Sequence, residues 1–243
     1  MRYLITISYD GTEFSGYQKQ PRERTVQGEL EKALKEISGG KKIDVHASGR
    51  TDAGVHAMAQ RVHFDLETKI TCEKLSKALN SLLPKDIFVR RVEEVPSEFH
   101  ARFSAIGKEY IYKLNMGEYN PLERNYVFQY NYNLDVKAMA DAIRVFMGTH
   151  DFRAFVTESK EKENCVRTIY RASIERKDDK IEITFKGDGF LRYQIRNMVG
   201  MLIQVGENKI STEDVEKYLE NKDRTTGGKT APAEGLYLID VEY

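Results

Sequence analysis

The pattern of apolar residues along this sequence predicts an α+β fold. Short runs that alternate or carry β-branched residues, typical of strands, are interspersed with segments whose apolar residues recur at helical spacing. The strands are joined by turns or by single helices, without the regular β-α alternation of a parallel sheet, so mostly antiparallel sheets flanked by helices are expected. With 243 residues the chain exceeds the common size of one domain, so one large domain or two closely packed ones are expected. Because each half mixes strands and helices in similar proportion, two related halves with a central cleft are predicted.

The first half, residues 1–99, contains four strand-like runs and two helices. The strands are predicted at Arg2–Tyr9, Ile43–Ser48, Arg61–Leu66 and Ile87–Val95. The helices are predicted at Val26–Ile37 and around Leu75, Leu79 and Leu82. Thr25 is a suitable N-cap for the first helix, and Pro84 ends the second. The second and third strands therefore flank a stretch without regular structure.

The second half, residues 100–243, shows the same mixture of elements. Its strands are predicted at Tyr110–Leu114, Ile169–Ile174, Ile181–Phe185 and Leu236–Val241. Its helices are predicted through Val136, Met139, Ala140, Ile143 and Met147, through Ile195, Val199 and Leu202, and from a capping box at Ser211–Asp214. Gly148 is a natural C-cap for the first of these helices.

Charge and cysteine content narrow the class of protein. The 38 Lys and Arg residues balance 38 Asp and Glu residues, and this balance argues mildly against a nucleic-acid partner, because such binders are usually basic. Between Lys41 and Arg61, however, four cations stand against two anions, which is compatible with a locally positive cleft. Cys72 and Cys165 lie far apart and in no metal-binding spacing, so reduced thiols are expected. Without a signal-length or membrane-length apolar stretch, a cytoplasmic location is expected.

Reactive and conformationally special residues are concentrated in the segment SGRTDAGVHA, residues 48–57, between two predicted strands. Gly49 and Gly54 permit backbone conformations that other residues resist, and Arg50 and Asp52 lie between them. Such a loop can hold a carboxylate rigidly. An aspartate in this setting is also commonly a turn residue or a helix N-cap, with the arginine as a surface partner. The residue types alone leave both interpretations open.

The same ten residues closely resemble the catalytic loop of the TruA family of tRNA pseudouridine synthases. Other segments resemble that family in the same order along the chain: YDGTEFSGYQKQP, RTVQGELEKAL, AIGKEYIYKL, GFLRYQIRNMVG and TAPAEGLYL. The resemblance covers essentially the whole chain. The principal departure lies around Thr157 to Asn164, where a mobile loop peculiar to this protein is expected, and this departure leaves the RNA contacts of that segment undefined.

The resemblance implies roles for five residues. It makes Asp52 the catalytic nucleophile and Tyr110 the aromatic residue that stacks on the target uracil. Arg50 and Arg196 become partners of phosphates or of the carboxylate, and Leu236 an apolar wall of the pocket. Without the resemblance, Tyr110 would be interpreted as core packing, because it lies in a strand among apolar neighbours.

The resemblance also implies a reaction and its partners. The family isomerises uridine to pseudouridine at positions 38, 39 and 40 of the tRNA anticodon arm, without a cofactor or a metal. It further implies a homodimer in which one tRNA arm spans both subunits. The apolar residues Met198, Met201, Leu202 and Val205 suit a subunit interface, and they suit core packing at least as well.

Two alternative functions remain at this stage. A metal-dependent hydrolase would use His46, Asp52, His56 and His63 as ligands. His46 and His63 occupy opposite parities in different predicted strands, and the sequence lacks the HExxH and deaminase patterns, both of which argue against this alternative. A non-catalytic RNA-binding module would need the basic and aromatic residues but not Asp52.

Overall fold

The structure is a computed structural model that describes residues 1–67, 69–156, 164–221 and 228–243. The chain forms two compact units. The first unit comprises residues 1–106 together with 237–243, and the second comprises residues 107–236. The predicted halves met at residues 99 and 100, so the first unit extends seven residues further and also includes the C-terminal strand.

The first unit is built on an antiparallel sheet. Its strands are β1 (Arg2–Tyr9), β2 (His46–Ala47), β3 (His56–Asp65), β4 (Ile87–Val95) and most of β10 (Leu236–Glu242). Strand β1 lies between β3 and β4 and pairs with both in antiparallel fashion. Strand β2 pairs antiparallel with β3, and β10 pairs parallel with β3 at its beginning. The side chains of β1 are mostly buried, so this strand forms the centre of the unit.

Two helices complete the first unit. Helix α1 spans Val26–Ile37, and the Thr25 side chain accepts a hydrogen bond from the Gly28 amide at 3.3 Å, as expected of an N-cap. Helix α2 spans Cys72–Leu82. The Asn80 side chain joins α2 to β4, because it accepts from the Val89 amide at 2.8 Å and donates to the Val89 carbonyl at 2.9 Å. Both helices lie where their apolar spacing predicts.

The second unit contains four antiparallel strands, which are paired in the order β5-β9-β8-β7. Its strands are β5 (Gly107–Asn115), β6 (Phe128–Gln129), β7 (Gly148–Asp151), β8 (Val166–Lys177) and β9 (Lys180–Gly187). The short β6 pairs parallel with β5. The helices are α3 (Val136–Ala142), α4 (Gln194–Gly206) and α5 (Thr212–Asn221).

This architecture confirms the predicted α+β class with mostly antiparallel strands. The strand predicted at Ile43–Ser48 is shorter than expected, because only His46 and Ala47 pair with β3. The helix predicted from Val136 changes to a 3₁₀ helix at Ile143–Phe146. The sequence pattern did not indicate β6 or β7. Strands of two and four residues are too short for alternation to be recognised.

The apolar residues considered for a subunit interface lie in α4. Met198, Met201, Leu202 and Val205 are each at most 3% exposed within this single chain. They therefore belong to the core of the protomer, and they present no surface to a second copy. The segment expected to be a mobile loop, residues 157–164, falls outside the described residues except for Asn164. Within the described residues, no helix combines the length and apolar character needed to cross a membrane.

The extension of the first unit to residue 106 has a physical basis in the turn that follows β4. The Ala101 amide donates to Nδ1 of His63 at 3.1 Å, and the Ala101 carbonyl accepts from the Tyr243 hydroxyl at 2.8 Å. The Ile106 amide donates to the Glu242 carbonyl at 2.9 Å. Residues 100–106 are thus held by β3 and β10 of the first unit.

Three histidines form a cluster beside this turn, in which His46 stacks on His63 and His100 meets His63 edge to face. His46 and His63 face each other across β2 and β3, with ring centroids 5.0 Å apart, and His100 lies 4.6 Å from His63. The prediction that parity separates His46 from His63 is therefore wrong. Parity counted along the chain does not fix which residues face each other, because the register between strands decides it. Burial, together with His100 and His46, lowers the pKa of His63 to about 4.

The depressed pKa of His63 predicts a loss of stability in mild acid. The folded protein keeps His63 neutral, whereas the unfolded chain protonates it below its ordinary pKa of 6.5, so protons favour unfolding. We expect the free energy of unfolding to fall between pH 6.5 and about 4, by at most about 1.4 kcal/mol per pH unit from this group. Urea unfolding of the wild type and of His63→Gln across this range measures the effect.

The variant should show a shallower dependence on pH, and the same substitution at His150 in the second unit serves as the control. An unchanged pH dependence in His63→Gln would show that other groups cause the acid sensitivity.

Candidate active site

The loop that carries Arg50 and Asp52 connects β2 to β3 in the first unit. The amide of Ser48 donates to the Arg61 carbonyl at 2.8 Å, which continues the pairing of β2 with β3 to the start of the loop. A turn follows Asp52, in which the Val55 amide donates to the Asp52 carbonyl at 3.2 Å and Gly54 adopts a φ of 79°. The loop then enters β3 directly, so the N-cap interpretation of Asp52 does not apply.

A set of buried, hydrogen-bonded polar side chains lies beneath the first part of this loop. The Ser48 hydroxyl donates to Oε1 of Gln60 at 2.6 Å, and Nε2 of Gln60 donates to the Gly49 carbonyl at 3.0 Å. The Tyr9 hydroxyl and the Thr51 hydroxyl are 2.8 Å apart. Burial raises the pKa of Tyr9 to about 12, although its hydrogen bonds with Thr51 and Gln60 act in the opposite direction. Tyr9 is therefore neutral at physiological pH.

The segment between β1 and α1 packs against the other side of the loop. The Tyr17 amide donates to the Thr51 carbonyl at 3.1 Å, and Gly16 adopts a φ of 90°. A Cβ at Gly16 would lie 2.8 Å from the Thr51 carbonyl oxygen, and one at Gly11 would lie 2.1 Å from the Val55 carbonyl oxygen. Two backbone segments thus approach more closely than side chains would allow, and the catalytic-loop candidate is confined from both sides.

Asp52 and Arg50 differ in exposure. Asp52 is half-buried, whereas Arg50 is exposed. His56, at the start of β3, is buried, stacks on Tyr237 with a centroid distance of 4.7 Å, and accepts from the Gly11 amide through Nδ1 at 3.0 Å. His56 therefore has a structural role in packing the base of the loop. Across the described ranges, no group of three or more His, Cys, Asp or Glu residues is arranged to hold a metal ion.

Tyr110 lies in β5 of the second unit, opposite Phe185 of β9. Its side chain is 7% exposed, and its ring meets Phe190 edge to face with centroids 5.4 Å apart. This environment matches the core-packing alternative. A stacking role additionally requires that one face of the ring become accessible to a base.

Arg196 lies in the first turn of α4 in the second unit. Its Nε donates to the Ala231 carbonyl at 2.7 Å, and the Ala231 amide donates to the Arg196 carbonyl at 3.0 Å. Its guanidinium also lies 5.3 Å from the ring centroid of Tyr193, a residue with a φ of 62° immediately before the helix. The side chain is thereby given a fixed direction.

The segment from Thr230 to Leu236 joins α4 to β5 within the second unit. The Thr230 hydroxyl donates to Oδ1 of Asn197 in α4 at 2.7 Å, and the Pro232 carbonyl accepts from the Tyr112 hydroxyl in β5 at 2.9 Å. A Cβ at Gly235 would lie 2.6 Å from the Lys113 carbonyl oxygen, so this segment passes very close to β5. Leu236, at its end, is 6% exposed.

The predicted site residues therefore fall into two groups. Arg50 and Asp52 share one loop of the first unit, while Tyr110, Arg196 and Leu236 belong to the second unit. The motif that carries Arg50 and Asp52 does not include Tyr9 or Gln60, whose side chains are hydrogen-bonded to the loop. A detectable signal was present, because Gln60 interrupts an otherwise apolar set of strand positions at residues 60, 62 and 64.

Comparison with known proteins places this site in a family context. Residues 5–104 and 142–243 match the model of a protein family described as tRNA pseudouridine synthase. The loop with Arg50 and Asp52, as well as Arg196 and Leu236, falls within the matched residues. Tyr110 lies between the two matched stretches.

Curated relatives match over the full length of the chain. A protein named tRNA pseudouridine synthase A from Anoxybacillus flavithermus is 47% identical over all of this chain and 98% of its own length. The protein of that name from Listeria monocytogenes is 46% identical over all of this chain and 99% of its own. Among solved structures, a Cbf5-Nop10-Gar1 complex contains a chain that is 10% identical, with a TM-score of 0.38; the match covers 97% of this chain and 57% of that one.

The close approach of Gly16 to Thr51 predicts a specific cost of adding a methyl group. Gly16 and Gly40 both have positive φ, 90° and 97°, so alanine strains the backbone similarly at each position. Nothing lies within 4 Å of a Cβ at Gly40, whereas one at Gly16 would lie 2.8 Å from the Thr51 carbonyl oxygen. We expect Gly16→Ala to lower the free energy of unfolding by about 1 to 3 kcal/mol more than Gly40→Ala.

Urea unfolding of the two variants measures this difference. Equal losses of stability would show that the loop moves aside without cost.

Proposed function

This chain belongs to the tRNA pseudouridine synthase family, and from that premise we propose that it isomerises uridine to pseudouridine in tRNA. The protein is an isomerase. The reaction breaks the bond between C1′ of the ribose and N1 of uracil and forms a bond between C1′ and C5. The proton on C5 leaves and N1 gains one, so no oxidant, reductant or added group takes part. We accordingly propose that the enzyme uses no cofactor.

We propose Asp52 as the nucleophile. The observation that carries this assignment is the confinement of its loop, which is hydrogen-bonded to Tyr17 at Thr51 and to Gln60 at Gly49. A carboxylate in a fixed position can form a covalent intermediate and so divide one difficult step into two easier ones. Its half-buried position limits the competition from water for the same reaction.

Arg50 and Arg196 are proposed to supply positive charge. Arg50 is exposed two residues before Asp52, where it suits a contact with an RNA phosphate. Arg196 keeps a fixed direction through its bond to the Ala231 carbonyl, and its planar guanidinium is of the type that binds a carboxylate or a phosphate. A guanidinium near Asp52 would favour the ionised carboxylate that a nucleophile requires.

Tyr110 and Leu236 are proposed to contact the target base. A uridine inside an RNA arm must leave its stack before an enzyme can reach it, and an aromatic or apolar surface offsets part of that cost. Tyr110 offers such a surface if its ring is uncovered, and Leu236 offers an apolar wall.

The substrate is proposed to be the anticodon arm, with uridines 38, 39 and 40 as targets, in a central cleft where a homodimer shares one tRNA. The relatives act on tRNA according to their names. Recognition of such an arm depends on its shape, its exposed bases and its 2′-hydroxyls, so a neutral protein requires only a local set of cations. The apolar residues of α4 considered for a subunit contact are buried, so the proposed dimer would use another surface.

Substitution of the proposed nucleophile tests the reaction. We expect Asp52→Asn to abolish pseudouridine formation in an unmodified tRNA transcript, because an amide is not a nucleophile of comparable strength. The affinity for tRNA should change less than about tenfold, since the phosphate contacts remain. Chemical mapping of pseudouridine, with chelator present and no added nucleotide, measures the product and its position.

The control is Asp44→Asn, which removes an exposed carboxylate paired with Lys42 in the same region of the chain. Asp44→Asn should retain full activity. A wild type that binds tRNA tightly without forming product would instead support the non-catalytic RNA-binding module.

The homodimer is tested by its mass in solution. Sedimentation equilibrium at micromolar concentration should give twice the 28.0 kDa of one chain. A stable monomer under the conditions of full activity would contradict the shared-tRNA arrangement.

A further inference from the structure

We infer that Gln60 is a positioning residue, which fixes the loop of Arg50 and Asp52 through hydrogen bonds to Ser48 and Gly49. This inference rests on the proposed role of Asp52 and extends it to the residues that hold the nucleophile. Gln60 does not touch substrate in this proposal, because its side chain is completely buried.

Packing in the core does not by itself explain why a glutamine occupies position 60. In β3, Gln60 shares a face with Val62 and Phe64, and all three are fully or almost fully buried. An apolar side chain would fill such a position without the cost of desolvating an amide. The amide is compensated by its hydrogen bonds, and two of its partners, Ser48 and Gly49, belong to the loop or to its entrance.

Both the oxygen and the nitrogen of the Gln60 side-chain amide are hydrogen-bonded. Its Oε1 accepts from the Ser48 hydroxyl at 2.6 Å and from the Arg61 amide at 3.2 Å. Its Nε2 donates to the Gly49 carbonyl at 3.0 Å. One rigid amide thereby ties the first two loop residues to the neighbouring strand. The loop cannot slide along β3 without breaking both of these contacts.

Tyr9 provides a second point of attachment immediately before Asp52. Its hydroxyl lies 2.8 Å from the Thr51 hydroxyl, and the Thr51 side chain is 8% exposed. Arg50 is therefore flanked by attached residues on both sides, at Gly49 and at Thr51. The two attachments come from adjacent strands, since β1 supplies Tyr9 and β3 supplies Gln60. Together they fix the backbone from which Arg50 and Asp52 project.

Loss of this attachment should affect the rate of reaction more than the binding of RNA. Small displacements of a reacting group reduce rates strongly, whereas phosphate contacts tolerate them. A purely structural role would instead lower stability and leave the rate of the folded enzyme unchanged. The ratio of these effects therefore distinguishes the two roles.

The test compares two substitutions of similar volume in the same unit, which remove buried or partly buried hydrogen bonds. Gln60→Met removes the bonds to the loop. Asn80→Leu removes two bonds of similar length, which lead from α2 to Val89 in β4. Single-turnover pseudouridine formation with excess enzyme, the dissociation constant for tRNA and the urea unfolding midpoint are measured for each variant.

For Gln60→Met we expect the single-turnover rate to fall about 10- to 100-fold, with the dissociation constant for tRNA within about twofold of the wild type. Asn80→Leu should lose comparable stability and retain the wild-type rate. An unchanged rate in folded Gln60→Met would overturn the inference, as would an equal loss of rate in Asn80→Leu.

Ser48→Ala covers the case in which Gln60→Met does not fold, because it removes only one hydrogen bond to Gln60. Its rate should fall about 3- to 10-fold, and an unchanged rate would overturn the inference by itself. Wild type and Asp52→Asn are run in the same assay. An inactive wild type, or an active Asp52→Asn, would refute the proposed function. If Asp52→Asn is inactive while Gln60→Met and Ser48→Ala keep the wild-type rate, only the positioning role is refuted.

Discussion

The pairing of β1 with β3 is the interaction on which the first unit depends. Strand β1 is the central strand, and its register with β3 places Tyr9 opposite Ala57, just beyond the loop that carries Asp52. The same strand leads directly into the segment with Gly11 and Gly16, which packs against that loop. Strand β1 is therefore the centre of the sheet and contributes the Tyr9 hydroxyl to the loop, and the segment that follows β1 packs against the same loop. A slip of one residue would reverse all of these orientations at once.

In the second unit, an irregular segment is likewise held by hydrogen bonds to the neighbouring elements. Helix α4 and strand β5 carry Arg196 and Tyr110, and the segment at 230–236 is bonded to both elements. The direction of Arg196 is therefore set by a backbone carbonyl of an irregular segment. Irregular segments are commonly mobile, but this one is held at several points by hydrogen bonds and by the close passage of Gly235 along β5. The segment at 230–236 is therefore fixed by its contacts with α4 and β5 and not by regular secondary structure.

The sequence predicted the elements that are determined by neighbouring residues. It did not predict contacts that depend on how distant strands pair. Helix α1 begins and ends as predicted, because Thr25 caps it and its apolar residues recur at helical spacing. The stacking of His46 on His63 could not be predicted, because it depends on the register of β2 with β3. Within the candidate site, the sequence motif singles out Asp52 and Arg50 as candidates. The hydrogen bonds that Tyr9 and Gln60 make to their loop could not be predicted, because they depend on how the strands pair. In the linear sequence Gln60 is marked only as a polar residue among apolar strand positions, and its partners cannot be read from that pattern.

The composition of the first unit has a consequence for the order of folding. Residues 237–243 belong to that unit, although residues 107–236 of the second unit precede them in the chain. During synthesis the ribosome must therefore release the whole second unit before β10 can join β3 beside the loop of Asp52. Until then His56 lacks its stacking partner Tyr237. The nascent chain can therefore form the contacts of the loop with Tyr9, Tyr17 and Gln60 early, whereas the stacking of Tyr237 on His56 forms only after the second unit has been synthesised.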